Sequence, residues 1–175
     1  MSTQAILIIV AVFGISFLAM IPIMIANNKK KKKVANYLVE NKNQAVLHIY
    51  GDHIYIDGTS IKSLEHLKGS DLEYVVTLTP GTHEITAKYS ASQPGMGTNI
   101  NYSTPKPIES TIVFQAGNEY TLSMYFYSSD ERRNYYNGDV GETVYEQTLD
   151  LSGASFSGYS KAYLICYLEN PIQKN

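Results

Sequence analysis

Tryptophan is absent, cysteine occurs once, and no charged residue precedes Lys29. Each absence excludes something. The lone Cys166 rules out an intrachain disulfide, and with it the disulfide-stapled class of small secreted domains. It sits in Ile165-Cys166-Tyr167 with no neighbouring histidine or basic pair to activate it, so it is expected to pack as a small apolar side chain. The four histidines, among them His48, His53 and His83, fall at no zinc-ligand spacing, and His83 after Pro80-Gly81 reads as a turn residue whose ring bonds the backbone. Pro94-Gly95-Met96-Gly97 has too few glycines, and no following helix, to cradle a phosphate. Gly153-Ala154-Ser155-Phe156-Ser157 falls one glycine short of a nucleophile elbow. Asp130-Glu131 beside Arg132-Arg133 mixes both signs of charge, as solvated loops do. No catalytic, cofactor-binding or metal-binding residue is assigned, and the chain is not expected to be an enzyme.

The missing charge marks the first positive feature. Ala5 to Ala26 (AILIIVAVFGISFLAMIPIMIA) carries no ionisable group and is apolar on every face. As a helix it reaches about 33 Å, enough for the hydrocarbon core of a bilayer. Its seven Ile, two Leu, two Val and two Phe favour insertion by on the order of 4–8 kcal/mol in sum. That outweighs the penalties from Gly14, Ser16 and Pro22. A transmembrane helix over 5–26 is therefore expected. A cleaved secretory signal fits less well, because such signals carry their positive charge before a shorter apolar run.

Five consecutive lysines, Lys29, Lys30, Lys31, Lys32 and Lys33, follow at once. Basic residues flanking a span stay on the cytoplasmic side, so the remainder of the chain is expected in the cytoplasm, with an extracytoplasmic placement as the alternative. The same five lysines are candidates for anionic lipid headgroups, at about 1 kcal/mol each near the surface. All sixteen Asp and Glu lie beyond them, against nine Lys and Arg, so residues 34–175 carry a net charge of −7. Phosphate repels such a domain, which argues against nucleic acid as a partner and suggests a domain tethered but held off the membrane surface.

After residue 43 the apolar period changes from helical to two. Short β-rich runs occur at 45–50, 53–56, 72–79, 82–89, 108–114, 120–127, 142–150 and 161–168, the last apolar enough to be central. Asp57-Gly58, Pro80-Gly81 and Ala116-Gly117 punctuate them. Residues 61–69 are ambiguous. Residues 90–107, 128–141 and 152–160 read as loops. The expected fold is all-β, an antiparallel β-sandwich of about seven to nine strands preceded by one transmembrane α-helix. The division expected is a tail over 1–4, the span over 5–26, a polybasic linker over 27–43, the sandwich over 44–170 and a tail over 171–175.

Three turns carry a resemblance. Ile54-Tyr55-Ile56-Asp57-Gly58, Thr79-Pro80-Gly81-Thr82-His83 and Phe114-Gln115-Ala116-Gly117-Asn118-Glu119-Tyr120 resemble the turn sequences of PEGA-type small sandwich domains, relatives of which occur in bacterial envelope lipoproteins. The resemblance implies a sandwich, an accessory non-enzymatic role and an extracytoplasmic setting, the last in conflict with the lysines. The expected function is a membrane-anchored module offering a protein-binding or scaffolding surface near the bilayer. The alternative is an envelope module that binds wall polymer, glycan or a surface protein. Arg and Tyr dominate binding hot spots, and loops on a rigid sandwich carry recognition. The candidate partner-binding residues are therefore Arg132, Arg133, Tyr135 and Tyr136 in one loop, with Phe156 and Tyr159 in another.

Overall fold

The computed structural model describes residues 3–51, 53–69, 72–94, 99–138, 140–152 and 161–171, without the side chains of 3–20 and a few others. A single helix, α1 (Thr3–Glu40), runs through Pro22 and past the lysines. Among the described residues no helix is long and apolar enough to cross a membrane. Most of the expected span, 5–20, has no described side chains and lies outside that statement.

The rest of the chain is predominantly β, as its alternation implies. The strands are β1 (Ala45–Tyr50), β2 (Ile54–Ile56), β3 (Thr59–Ser60), β4 (His66–Lys68), β5 (Glu73–Leu78), β6 (Gly81–Ala87), β7 (Ser90–Pro94), β8 (Asn99–Ser103), β9 (Ile108–Phe114), β10 (Asn118–Tyr125), β11 (Glu142–Asp150) and β12 (Lys161–Pro171). A six-stranded sheet has the order β11-β12-β10-β1-β5-β4, a four-stranded sheet β3-β2-β6-β9, and β7-β8 form a separate hairpin. One hydrophobic cluster joins the two larger sheets: Leu47, Ile49, Val76, Leu122 and Leu164 from the first meet Ile54, Ile56, Ile85, Ile112 and Phe114 from the second. β9 shows the expected period, with Ser110, Ile112 and Phe114 buried and Glu109, Thr111 and Val113 exposed.

The pairing is not purely antiparallel. β1 runs parallel to β10, with Leu47 opposite Tyr120 and Ile49 opposite Leu122. Among the described residues every other strand pairing is antiparallel. The Asp57-Gly58 turn is a local hairpin: both residues have positive φ, 50° and 74°, which fits the twist of β2-β3. The other two glycine turns move the chain from one sheet to the other. Pro80-Gly81 carries it from β5 into β6, and Ala116-Gly117 from β9 into β10. Gly117 has φ 72° and donates its N–H to Gln44 O at 2.8 Å, close against the backbone that leads into β1.

Two stretches read as loops contain structure. Residues 90–107 hold the β7-β8 hairpin. It is fastened to the sandwich by buried Tyr102, whose ring meets Phe126 edge-on at 6.0 Å, and by backbone bonds from Ser103 to Ser152. Residues 128–141 hold α2 (Ser129–Tyr135). Its start is a capping box: Ser128 Oγ accepts from Glu131 N at 3.2 Å, and Glu131 Oε2 accepts from Ser128 N at 2.8 Å. The expected count of seven to nine strands was low because β3, β4, β7 and β8 are too short or too polar to show a period.

Both helices lie against the outer face of the six-stranded sheet. Val34, Tyr37 and Leu38 in the last turns of α1, with Asn41 just past its end, are partly buried at the i, i+3, i+4, i+7 spacing of one helix face. The stretch expected as a polybasic linker, 27–43, is thus mostly helix: Lys29, Lys30, Lys31, Lys32 and Lys33 are successive residues of α1. Tyr37 Oη lies 3.3 Å from Thr77 Oγ1 of β5. β1 is consequently buried on both faces, with Val46 and His48 outward and Leu47 and Ile49 inward.

Candidate functional site

Tyr125 of β10 and Tyr167 of β12 point outward from the six-stranded sheet, and α2 crosses above them. Arg132, from the middle of α2, reaches down between these rings. Its guanidinium carbon lies 4.4 Å from the centre of the Tyr167 ring, 5.0 Å from Tyr125 and 5.8 Å from Tyr136. Nη1 donates to Tyr125 Oη at 3.0 Å. Among the described residues no carboxylate pairs with Arg132, and its Nε is buried without a hydrogen-bond partner. Burial opposes its charge, but the oxygens of Tyr125 and Tyr167 outweigh burial and raise its pKa further. Burial raises the phenols of Tyr125, Tyr127 and Tyr167, so they stay neutral around a fixed cation. A cation held on aromatic faces gains about 0.5–2 kcal/mol per contact according to its desolvation.

Beside this cage opens a cleft of 480 Å³ lined by Tyr127, Glu131, Arg132, Tyr135 and Tyr136. Three of the four candidate residues of this loop therefore share one surface: Arg132, Tyr135 and Tyr136 stand at i, i+3 and i+4 on a single helix. The rings of Tyr135 and Tyr136 meet edge-on at 4.9 Å, and Tyr135 is 80% exposed. Arg133 is exposed and does not line the cleft. Phe156 and Tyr159 lie outside the described residues. Tyr125, Tyr127 and Tyr167 were missed by the sequence reading. Ser-x-x-Glu over 128–131 was the available signal for the helix, but not for the strands beneath it.

The five candidate headgroup residues, Lys29, Lys30, Lys31, Lys32 and Lys33, are all exposed on α1, but the helix does not present them alike. Lys30 and Lys31 line a smaller cleft of 280 Å³ with Val34, Ala35, Leu38, Tyr50 and Glu73. Lys29, Lys32 and Lys33 do not line it, because the turn of the helix, about 100° per residue, aims successive side chains in different directions. Glu73 of the cleft lining belongs to a charge cluster that includes buried His48. His48 Nδ1 is 2.5 Å from Glu73 Oε1, and Nε2 is 2.9 Å from Glu119 Oε1, close enough for an ion pair although the N–H is poorly aligned. Tyr50 Oη donates to Glu73 Oε1 at 3.2 Å. Burial would lower the His48 pKa, but the contacts with Glu119 and Glu73 prevail and lift it to about 9. Both ring nitrogens of His48 are thus engaged by carboxylates, which favour its protonated form.

His83 is occupied in the same way. Its Nε2 meets Thr79 O at 2.8 Å, the backbone bond expected of it, and its Nδ1 meets Asp57 Oδ2 at 2.6 Å. Asp57 also accepts from Glu84 N at 2.9 Å, and its carboxyl is held below the usual range by His83 first and Glu84 second. This ties the Asp57-Gly58 turn to the head of β6. Cys166 is buried, and burial pushes its thiol up to about 12. It should therefore resist alkylation by iodoacetamide in the folded chain and react fully in denaturant; mass spectrometry before and after unfolding checks this.

The chain matches no family model, no curated protein and no solved structure at a significant level. The resemblance to PEGA-type domains accordingly rests on the three turn sequences alone.

Proposed function

We propose that the chain is a single-pass membrane protein whose β-domain is a non-enzymatic protein-binding module at the cytoplasmic face of the bilayer. The observation that carries this reading is the continuity of α1. One helix leads from the charge-free residues 5–26, through Lys29–Lys33, to a docked end on the six-stranded sheet. The lysine bias supports the cytoplasmic side. The aromatic cleft around Arg132 is the surface that a partner would use, because a half-buried arginine ringed by tyrosines is the composition of a binding hot spot. The raised pKa of buried Cys166 supports a role without thiol catalysis.

Protease treatment of intact and permeabilised cells tests the placement. Residues 44–170 should be protected in intact cells and digested after permeabilisation. Digestion in intact cells would overturn the cytoplasmic side in favour of the envelope reading, to which the turn resemblance points. Replacing Lys29–Lys33 with glutamine should weaken or invert the topology. For the cleft, Tyr135→Ala should leave the melting temperature unchanged, because the side chain is largely exposed, while lowering partner affinity about 30-fold as hot-spot truncations do. Unchanged cross-linking of membrane partners by Tyr135→Ala and Arg132→Ala would remove the cleft from the account.

A further inference from the structure

The direction of α1 fixes which end of the sandwich faces the lipid. Tyr37 contacts Thr77, near the end of β5, whereas Lys30 and Lys31 adjoin Glu73, at its beginning. The helix therefore runs antiparallel to β5, and residues 5–26 leave past the Tyr50–Glu73 end of the sheet. Lys30 is four residues beyond Ala26, so that end begins about 6 Å past the apolar stretch. Half the difference between a bilayer's full thickness and its hydrocarbon core is about the same distance. No spacer exists to hold the domain away, since the docking face of the helix starts at Val34, directly after Lys33.

The side chains at this end suit that position. Tyr50 stands between two clefts, the one with Lys30 and Lys31 and another of 310 Å³ lined by His53, Leu72, Lys88, Tyr89 and Met124. Leu72 is 85% exposed and has φ 65°, a conformation that costs a leucine about 1–3 kcal/mol. Leu72 thus exposes an apolar side chain from a strained backbone, with exposed Lys88 lining the same cleft. Of the acidic groups that act on Tyr50, Glu73 and Glu169, Glu73 is turned toward His48 and Tyr50. Asp52 and Asp71, next to this end in sequence, lie outside the described residues.

We propose that this end of the sandwich docks on an anionic phospholipid surface, with Leu72 and Tyr50 entering the interface and Lys30, Lys31 and Lys88 meeting the phosphates. The proposal rests on the anchor reading above and extends it. The domain does not hover over the bilayer; the contact is made by Leu72, Tyr50 and the lysines gathered at this end.

The absence of tryptophan makes the test direct. Three single-tryptophan variants of the full chain, Leu72→Trp, Phe17→Trp and Val113→Trp, are reconstituted in vesicles containing brominated lipid and roughly a third phosphatidylserine. Val113, 60% exposed near the opposite end of the four-stranded sheet, is the distal control. Leu72→Trp should be quenched by about half, Phe17→Trp at least as strongly, and Val113→Trp not at all. Removing the phosphatidylserine, or combining Lys30→Gln, Lys31→Gln and Lys88→Gln, should relieve the quenching of Leu72→Trp alone. Quenched Phe17→Trp with unquenched Leu72→Trp overturns the docking while the anchor stands. Unquenched Phe17→Trp overturns both. Quenching of Leu72→Trp that survives without phosphatidylserine overturns the assignment of anionic headgroups.

Discussion

Replacing His48 with leucine should destabilise the full chain in detergent by about 3–5 kcal/mol at pH 7, read from urea unfolding. The loss exceeds that of an ordinary core substitution because Glu73 and Glu119 would be left facing each other without the cation between them. A pH titration isolates the same interaction. The fold favours protonated His48 by raising its pKa from 6.5 to about 9. Its contribution is therefore complete below pH 6.5 and declines as pH rises through 9, a loss of about 3 kcal/mol. His48→Gln, which cannot bind the proton, should be less stable at pH 6 and should not show that decline between pH 6.5 and 9.5. A wild-type profile as flat as that of His48→Gln would mean that the two carboxylates do not hold the proton there.

What the sequence disclosed and what it concealed divide by distance along the chain. Alternation in 82–89, 108–114 and 120–127 located β6, β9 and β10 because side-chain direction is a local property. The positive φ of Asp57-Gly58 was likewise local. The parallel contact of β1 with β10 was not, since a period of two says which face a residue takes and nothing about which strand lies beside it. The same limit hid the charge cluster: Glu73 and Glu119 stand far from His48 in sequence and meet it only once β1 is enclosed by β5 and β10. The two helices on the outer face were legible in part. The spacing of Val34, Tyr37, Leu38 and Asn41 and the Ser128–Glu131 cap are helical signals, but polar composition around them argued for connectors. As a result the Arg132 cleft was expected as a loop, whereas a capped helix pinned by a half-buried arginine presents it.

The shared core makes the second large prediction. Phe114→Ala should destabilise the protein by about 3–5 kcal/mol, while Val113→Ala, one residue earlier on the same strand, should change stability by less than about 0.5 kcal/mol. Phe114 is buried at the end of β9, where its ring meets Tyr120 edge-on at 5.0 Å and lies 5.9 Å from His83. Its neighbours thus come from both sheets, so truncation opens a cavity that neither sheet can close alone. Tyr120 Oη also accepts from Gln115 N at 2.9 Å, and displacement of its ring would loosen the turn that carries the chain back into β10. Phe114→Leu should recover most of the loss, because it restores volume without the edge-on contact. Comparable losses for Phe114→Ala and Val113→Ala would place the wrong face of β9 inward. That would undo the register against β6, in which Phe114 pairs with Gly81 and Val113 with Thr82.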